Sequence, residues 1–343
     1  GERFRKLTGS APEDWYNQRL ARGWTMGMAQ ELKLLQGLIR LAHPTLVKAL
    51  RAHWGRARPD LVVSLIPNFN RALFESLDAE CPGVPFVTVL TDLADHPPHF
   101  WIEPDQPQHF ICGTPRALAQ AVALGHAPHR VHATSGMILR PDFYRPAVAD
   151  RAAARARMGL DPSRPTGLVL FGGHGSRAMA GIAERLDDVQ LIFICGHNEK
   201  LARQLRARRP RAPHHVVGFT SDVPALMDVA DFFIGKPGPG SLSEAVQRGL
   251  PVIVVDNAWT MPQERYNADW VRENGLGLVH RSFRTVDRAV ATLLQDLPGW
   301  RARVAKHHNR ALFEIPQILA MLLRHESPAL RPVAGEAVHG LPT

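Results

Sequence analysis

Five short apolar runs at regular spacing constrain this chain most. TGLVLFGG (166–173), VQLIFICG (189–196), HHVVGF (214–219), DFFIG (231–235) and PVIVVD (251–256) are mostly apolar and β-rich, and stretches of helical character separate them. A strand that is apolar on both faces is buried on both faces. Strand–helix alternation makes successive strands parallel, with the helices as crossovers. The expected class is α/β, with a parallel sheet covered on both sides.

The same alternation occurs earlier. LVVSLI (61–66), PFVTVLTD (85–92) and HFICG (109–113) read as strands, with helices expected over about 69–80 and 114–124. Residues 12–54 read as helix, because Leu32, Leu35, Leu38, Ile39, Leu46, Val47 and Leu50 recur at helical spacing, with a break expected at Pro44. The stretch 141–166, rich in Pro, Arg and Ala, reads as a linker plus a short helix, and a last helical region covers about 285–324. The domains expected are 1–148, 149–325 and a disordered tail at 326–343. No internal repeat is seen.

Composition narrows the classes. At about 150 residues per domain, 343 residues predict two domains, and 45% hydrophobic with 21% charged residues excludes a disordered chain. No apolar run approaches the ~18 residues of a membrane span, and residues 1–30 hold no apolar signal core. Cys81, Cys112 and Cys195 lie far apart and are odd in number, which suits a reducing cytosol and neither a disulfide framework nor a metal spacing. A net charge of +9 fits anionic partners, although a compositional bias towards Arg explains it equally well.

Open parallel sheets bind ligands beyond the carboxyl ends of their strands, so the loops there matter most. Gly172-Gly173-His174-Gly175-Ser176 follows the first run and leads into a helix, where glycines let backbone amides approach a phosphate. Gly196-His197-Asn198 follows the second, and Asn198 also suits a plain helix cap. Lys236-Pro237-Gly238-Pro239-Gly240-Ser241-Leu242-Ser243-Glu244 forms a rigid loop in which Ser241 and Glu244 fit a capping box. Pro262-Gln263-Glu264, with Asn267 one turn on, sets an amide beside a carboxylate, a combination suited to vicinal hydroxyls. A pyrophosphate carrying a polyol would use all four loops.

FIGKPGPGSLSEAVQRGLPVIVV and PQERYNADWVRENGLG resemble the donor half of GT-B glycosyltransferases, and most closely that of the diacylglycerol galactosyltransferases. PNFNRAL (67–73), VTVLTDLADHPPHFW (87–101), ICGTPRALAQA (111–121) and TSGMILRPDFY (134–144) extend the resemblance into the first half. It implies two Rossmann-like domains facing a cleft. It implies that Gly173, Gly175 and Ser176 lie against a diphosphate, with Lys236 offsetting charge in the Gly238–Gly240 loop. Phe219 would flank uracil, Glu244 the ribose hydroxyls, and Gln263 and Glu264 the sugar, with Asn267 in support. The family opens with a strand and a glycine-rich loop bearing a histidine base. Residues 1–60 hold no match, so a first domain without that strand is expected.

Asp92, Asp95, His96 and His99 crowd one proline-rich loop. The prolines keep them off a common helical face, so no metal site is expected, and Asp92 and His96 are the candidates for handling an acceptor proton. The expected function is inverting transfer of galactose or glucose from a UDP-sugar to a lipid hydroxyl, that of diacylglycerol, without a further cofactor. The alternatives are a UDP-N-acetylglucosamine-using lipid transferase, a UDP-sugar epimerase or a non-catalytic binding module. Nucleic acid is not an expected partner. A cytoplasmic protein peripheral on the inner membrane face is expected, because Lys33, Arg40, Lys48 and Arg51 flank the leucines of the first helix.

Overall fold

The computed structural model describes residues 28–324. The helical reading of residues 12–27 and the tail at 326–343 lie outside the described residues, as do the side chains of Lys33 and Leu35. The chain divides into two compact units, one holding Leu34–Ile138 together with the chain from His308, the other Leu139–His307 together with the chain up to Lys33. Among the described residues, 28–33, 139–148 and 308–324 therefore group differently from the domains expected above.

In the first unit, helix α1 (Met28–Ala57), which belongs to it from Leu34 on, leads to strand β1 (Val62–Ser64), helix α2 (Asn70–Glu80), strands β2 (Phe86–Val89) and β3 (His109–Cys112), helix α3 (Pro115–Ala123) and strand β4 (Val131–Ala133). Helix α1 runs through Pro44 without stopping, a correction to the expected break. The strands pair in parallel in the order β1-β2-β3-β4. Alternate residues of β2 supply two cores, as a pleated strand must. Phe86 joins Trp54 of α1 with Leu77 and Cys81, while Val87 and Val89 join Ile111 and the distant Ala311, Ile315 and Leu322.

Those last three residues belong to α12 (Ala311–Leu323), so the end of the chain covers one face of the first sheet. Ser135 fixes the entry of α12. Its amide and hydroxyl donate to Glu314 Oε2 at 2.8 and 2.9 Å, and its Oγ accepts from the Arg310 amide at 2.6 Å.

The second unit contains helix α4 (Arg151–Arg157), strand β5 (Thr166–Leu170), helix α5 (Ala178–Arg185), strand β6 (Gln190–Ile194), helix α6 (Glu199–Arg206) and strand β7 (His214–Val217). It continues with α7 (Val223–Val229), β8 (Phe232–Gly235), α8 (Pro239–Gln247), β9 (Val252–Val255), α9 (Arg265–Glu273), β10 (Gly277–His280), α10 (Val286–Gln295) and α11 (Leu297–Val304). All pairings are parallel, in the order β10-β9-β8-β5-β6-β7. The order turns about at β5 and β8, which makes the space beyond their carboxyl ends a topological switch point.

The opposite edge is closed by charge. Asp231, before β8, accepts from Arg155 Nη2 at 2.5 Å, Arg151 Nη2 at 2.9 Å, Arg301 Nη1 at 2.9 Å and the Thr166 amide at 2.8 Å. One buried carboxylate thereby fastens α4 and α11 to the starts of β5 and β8.

Candidate functional site

A cavity of about 550 Å³ opens in the second unit at its switch point. It is lined by the loops after β5, β8, β9 and β10. Gly173, Gly175, Ser176, Lys236 and Glu264 share it.

The loop after β5 turns twice through left-handed backbone, at Gly172 (φ 76°) and Gly175 (φ 58°). It rests on the turn after β6, where the His197 amide donates to Gly173 O at 2.8 Å. A Cβ on Gly196 would lie 2.1 Å from that same oxygen, so only glycine allows the two backbones to meet. Asn198 stands behind the loop. Its Oδ1 accepts from the Leu201 amide at 3.1 Å to cap α6, and its Nδ2 donates to His174 O at 3.3 Å.

Across the cavity, α8 starts at Pro239 after Gly238, and no side chain caps it. The capping box expected from Ser241 and Glu244 does not form, because Ser241 already lies inside the first turn. The first amides of α8 stay available, as at any helix N-terminus. A Cβ on Gly238 would lie 3.5 Å from both Glu264 Oε1 and Ser241 Oγ, which puts this turn against the cavity carboxylate. Gly240 follows in the same turn, with nothing within 4 Å of its Cβ position.

Lys236 Nζ donates to Glu264 Oε1 at 2.7 Å. Glu264 is 4% exposed and sits where the short turn Pro262–Glu264 enters α9. Gln263 lies in that turn, its Nε2 3.7 Å from Met261 Sδ. Asn267 is fully buried. Its Nδ2 donates to Pro237 O at 2.7 Å, while its Oδ1 is left without a partner. It joins α9 to the loop after β8.

Glu244 and Phe219 stand outside the cavity lining. Burial raises the pKa of the Glu244 carboxyl above its ordinary value, with Arg140 pulling the other way. Phe219 is 64% exposed and stacks on His197, with centroids 4.2 Å apart and planes at 17°.

Asp92 and His96 belong to the first unit, in the loop after β2. Asp92 Oδ2 accepts from Trp101 Nε1 at 2.8 Å. Asp95 accepts the amides of His99, Phe100 and Trp101 at 3.0, 2.9 and 2.6 Å, and so braces the loop. Its pKa is raised by burial despite those amides, which pull it down. Among the described residues no group of three His, Cys, Asp or Glu side chains could hold a metal ion. Cys81, Cys112 and Cys195 are free and buried.

Asn257, Trp259, Thr260 and Arg284 also line the cavity and went unremarked in the sequence. Arg284 lies in the turn after β10 and the first three in the loop after β9. There Asn257 Oδ1 accepts from the Trp259 amide at 2.8 Å and the Asn257 amide donates to Thr260 Oγ1 at 2.9 Å, a compact Asx-type turn.

Comparison with known proteins gives the class. Residues 170–317 match the glycosyltransferase family 28 C-terminal domain. The chain is a GT-B protein of glycosyltransferase family 28 type. It is similar to the monogalactosyldiacylglycerol synthases. A probable synthase 2 of rice, Oryza sativa subsp. japonica, is 32% identical over 254 residues, 69% of this chain and 52% of that protein. Synthase 1 of Arabidopsis thaliana is 30% identical over 249 residues, 68% of this chain and 45% of that protein. The chain spans about half the length of the curated relatives it matches.

Solved structures share the fold. Acinetobacter baumannii MurG superposes with a TM-score of 0.57 at 13% identity, over 81% of this chain and 77% of its own. Staphylococcus aureus MnaA with UDP gives 0.60 at 14%, over 85% and 84%.

Proposed function

We propose that this chain binds a UDP-sugar in the switch-point cavity and transfers its hexose, galactose or glucose, with inversion to the hydroxyl of diacylglycerol. The observation that supports this most is the set of groups on one cavity: a glycine loop, a lysine and a buried carboxylate. In this reading Gly173, Gly175 and Ser176 hold the diphosphate with the first amides of α8, while Gln263 and Glu264 hold the sugar. Glu244 accepts from the ribose and Phe219 flanks the uracil.

In the reaction the acceptor oxygen attacks the anomeric carbon, and the bond from that carbon to the phosphate oxygen breaks. UDP leaves with the electron pair. Fixed amides and Lys236 meet the charge that develops on it. The acceptor proton passes to a base, for which Asp92 and His96, beyond the end of β2, are the proposed groups. No metal or other cofactor is assigned a role.

We also propose a peripheral place on the inner, anionic membrane face. No described helix is long and apolar enough to cross a membrane. Leu34, Leu38 and Leu41 recur along α1 and are 66%, 54% and 81% exposed, which core packing does not explain. Arg40 and Lys48 are exposed on the same helix. Apolar side chains among basic ones suit an anionic interface.

The test supplies UDP-galactose or UDP-glucose and diacylglycerol in anionic liposomes and follows labelled glycolipid. Product that disappears in Glu264→Ala is the expected result. UDP binding without any transfer would reduce the chain to a binding module, and no UDP binding by calorimetry would overturn the reading.

A further inference from the structure

We infer that the cavity of the second unit carries an anion subsite, Arg185 with Arg284, for a carboxylate on the transferred sugar, so that the chain takes a UDP-hexuronate as well as the neutral UDP-hexoses. The inference rests on the donor reading above and adds a substrate class to the same site.

The lining is unevenly charged. It holds Arg185, Lys236 and Arg284 against one carboxylate, Glu264, which leaves +2 with histidine neutral. Glu264 is already paired with Lys236 at 2.7 Å. Among the described residues neither the Arg185 nor the Arg284 guanidinium has an ion-pair or hydrogen-bond partner. Both residues are exposed, so water solvates them while the cavity is open. A ligand that fills the cavity strips that water, and a covered guanidinium without an anion is costly. A neutral hexose offers no anion. A carboxylate accepts two parallel N–H bonds from a guanidinium and matches its planar fork.

The two arginines stand apart from the loop assigned to the diphosphate. Ala178, Gly181 and Arg185 line the cavity at spacings of three and four, which puts them on one face of α5. From the first to the last of them the helix rises about 10 Å, so Arg185 is rooted well away from Ser176. Helical side chains lean toward the N-terminus, which brings its guanidinium back to the cavity. Small residues keep the way between them open, since a Cβ on Gly181 would have nothing within 4 Å. Arg284 reaches the cavity from the turn Phe283–Thr285, after β10. Ser282 Oγ accepts from its amide at 3.1 Å and fixes that turn. Phe283 meets Phe171 edge-on beside it, with centroids 5.2 Å apart and planes at 67°. Both rings line the cavity, and a charge pair gains strength beside an apolar wall.

The carboxylate takes no part in the bond changes. The acceptor oxygen attacks the anomeric carbon, the bond from that carbon to the phosphate oxygen breaks, and UDP leaves with the electron pair. The acceptor proton goes to the base, and the product is a uronosyl lipid whose carboxylate is unchanged.

The full chain is titrated by calorimetry with UDP, UDP-glucose, UDP-galactose, UDP-glucuronate and UDP-galacturonate. At least one uronate should bind about tenfold more tightly than the neutral sugar of the same configuration. Arg185→Gln and Arg284→Gln should each cut that ratio by about threefold or more, with UDP affinity unchanged, and Arg284→Glu should favour the neutral donor. Both positions are exposed, and thermal melts check that the variants fold. Labelled uronate donor with diacylglycerol liposomes should give an anionic glycolipid retained on an anion exchanger. Equal affinities for uronate and hexose, a ratio that both glutamine variants leave intact, or hexose transfer without uronosyl transfer would overturn the inference. So would a loss of affinity for UDP itself in those variants, which would give the arginines to the diphosphate. No binding of UDP by the parent chain would overturn the donor reading beneath it.

Discussion

Lys236 Nζ and Glu264 Oε1 pair at 2.7 Å, with the carboxylate 4% exposed and the ammonium reaching solvent. The lysine therefore does two things: it gives a buried carboxylate its ion-pair partner, and it brings a basic group to a cavity proposed for a diphosphate. Lys236→Met leaves the carboxylate without its partner and should cost about 1–3 kcal/mol of stability together with a loss of UDP affinity. Denaturant melts and calorimetry measure both. Glu264→Ala should abolish transfer while the chain remains folded.

Gly196 and Gly173 separate folding from binding. Gly196→Ala puts a Cβ 2.1 Å from Gly173 O at a φ of 57°, so it should lower stability by at least about 1–2 kcal/mol and disturb the loop after β5. Gly173 has nothing within 4 Å of its Cβ position and a φ outside the left-handed range. Gly173→Ala should leave the melting temperature unchanged and weaken UDP binding through contact with the ligand alone. Equal UDP affinities in Gly173→Ala and the parent would remove the loop from the donor site.

Asp231 holds the far edge of the same sheet. Asp231→Ala leaves Arg155, itself 7% exposed, without its carboxylate, and should cost about 3–5 kcal/mol in a urea melt. UDP affinity well below the melting temperature should not change, because the cluster lies at the amino ends of the strands.

The first unit should lose stability in mild acid. His109 and His132 share a contact of 3.1 Å, and burial brings both pKa values down to about 4, with neighbouring positive charge adding to the effect. From pH 6.5 towards 4 the unfolded chain takes up protons that the folded chain refuses, so stability falls as pH falls and levels below about 4. Urea midpoints between pH 7.5 and 4.5 measure this. His132→Gln should flatten the slope.

On α1, Leu38→Glu with Leu41→Glu should reduce sedimentation with anionic vesicles. Each exposed leucine contributes at most about 1.5–3 kcal/mol when buried in lipid, and stability in solution should shift by less than about 0.5 kcal/mol. Unchanged sedimentation would remove α1 from the membrane surface.

The second sheet was legible in the sequence because its strands are apolar on both faces and each is followed by turn residues. β4 and β10 were missed: VHA and GLVH carry no long apolar run. The role of α12 was invisible for another reason. Its apolar face is written in the chain, but nothing local states which sheet it covers. The loops around the second unit's cavity were readable as glycine and proline punctuation. The contacts of Asn267 were not, since an amide that fastens one loop to another has the same letter as one that meets a ligand.

The placement of α12 orders events during synthesis. The first sheet leaves the ribosome with Val87, Val89 and Ile111 uncovered, because the residues that cover them come at 311–322. The other unit, which takes its main stretch from Leu139–His307, has its last residue translated before α12 begins. The sheet translated first is the last to be covered, and a chain released before α12 would carry an apolar sheet face open to chaperones and to other copies of itself.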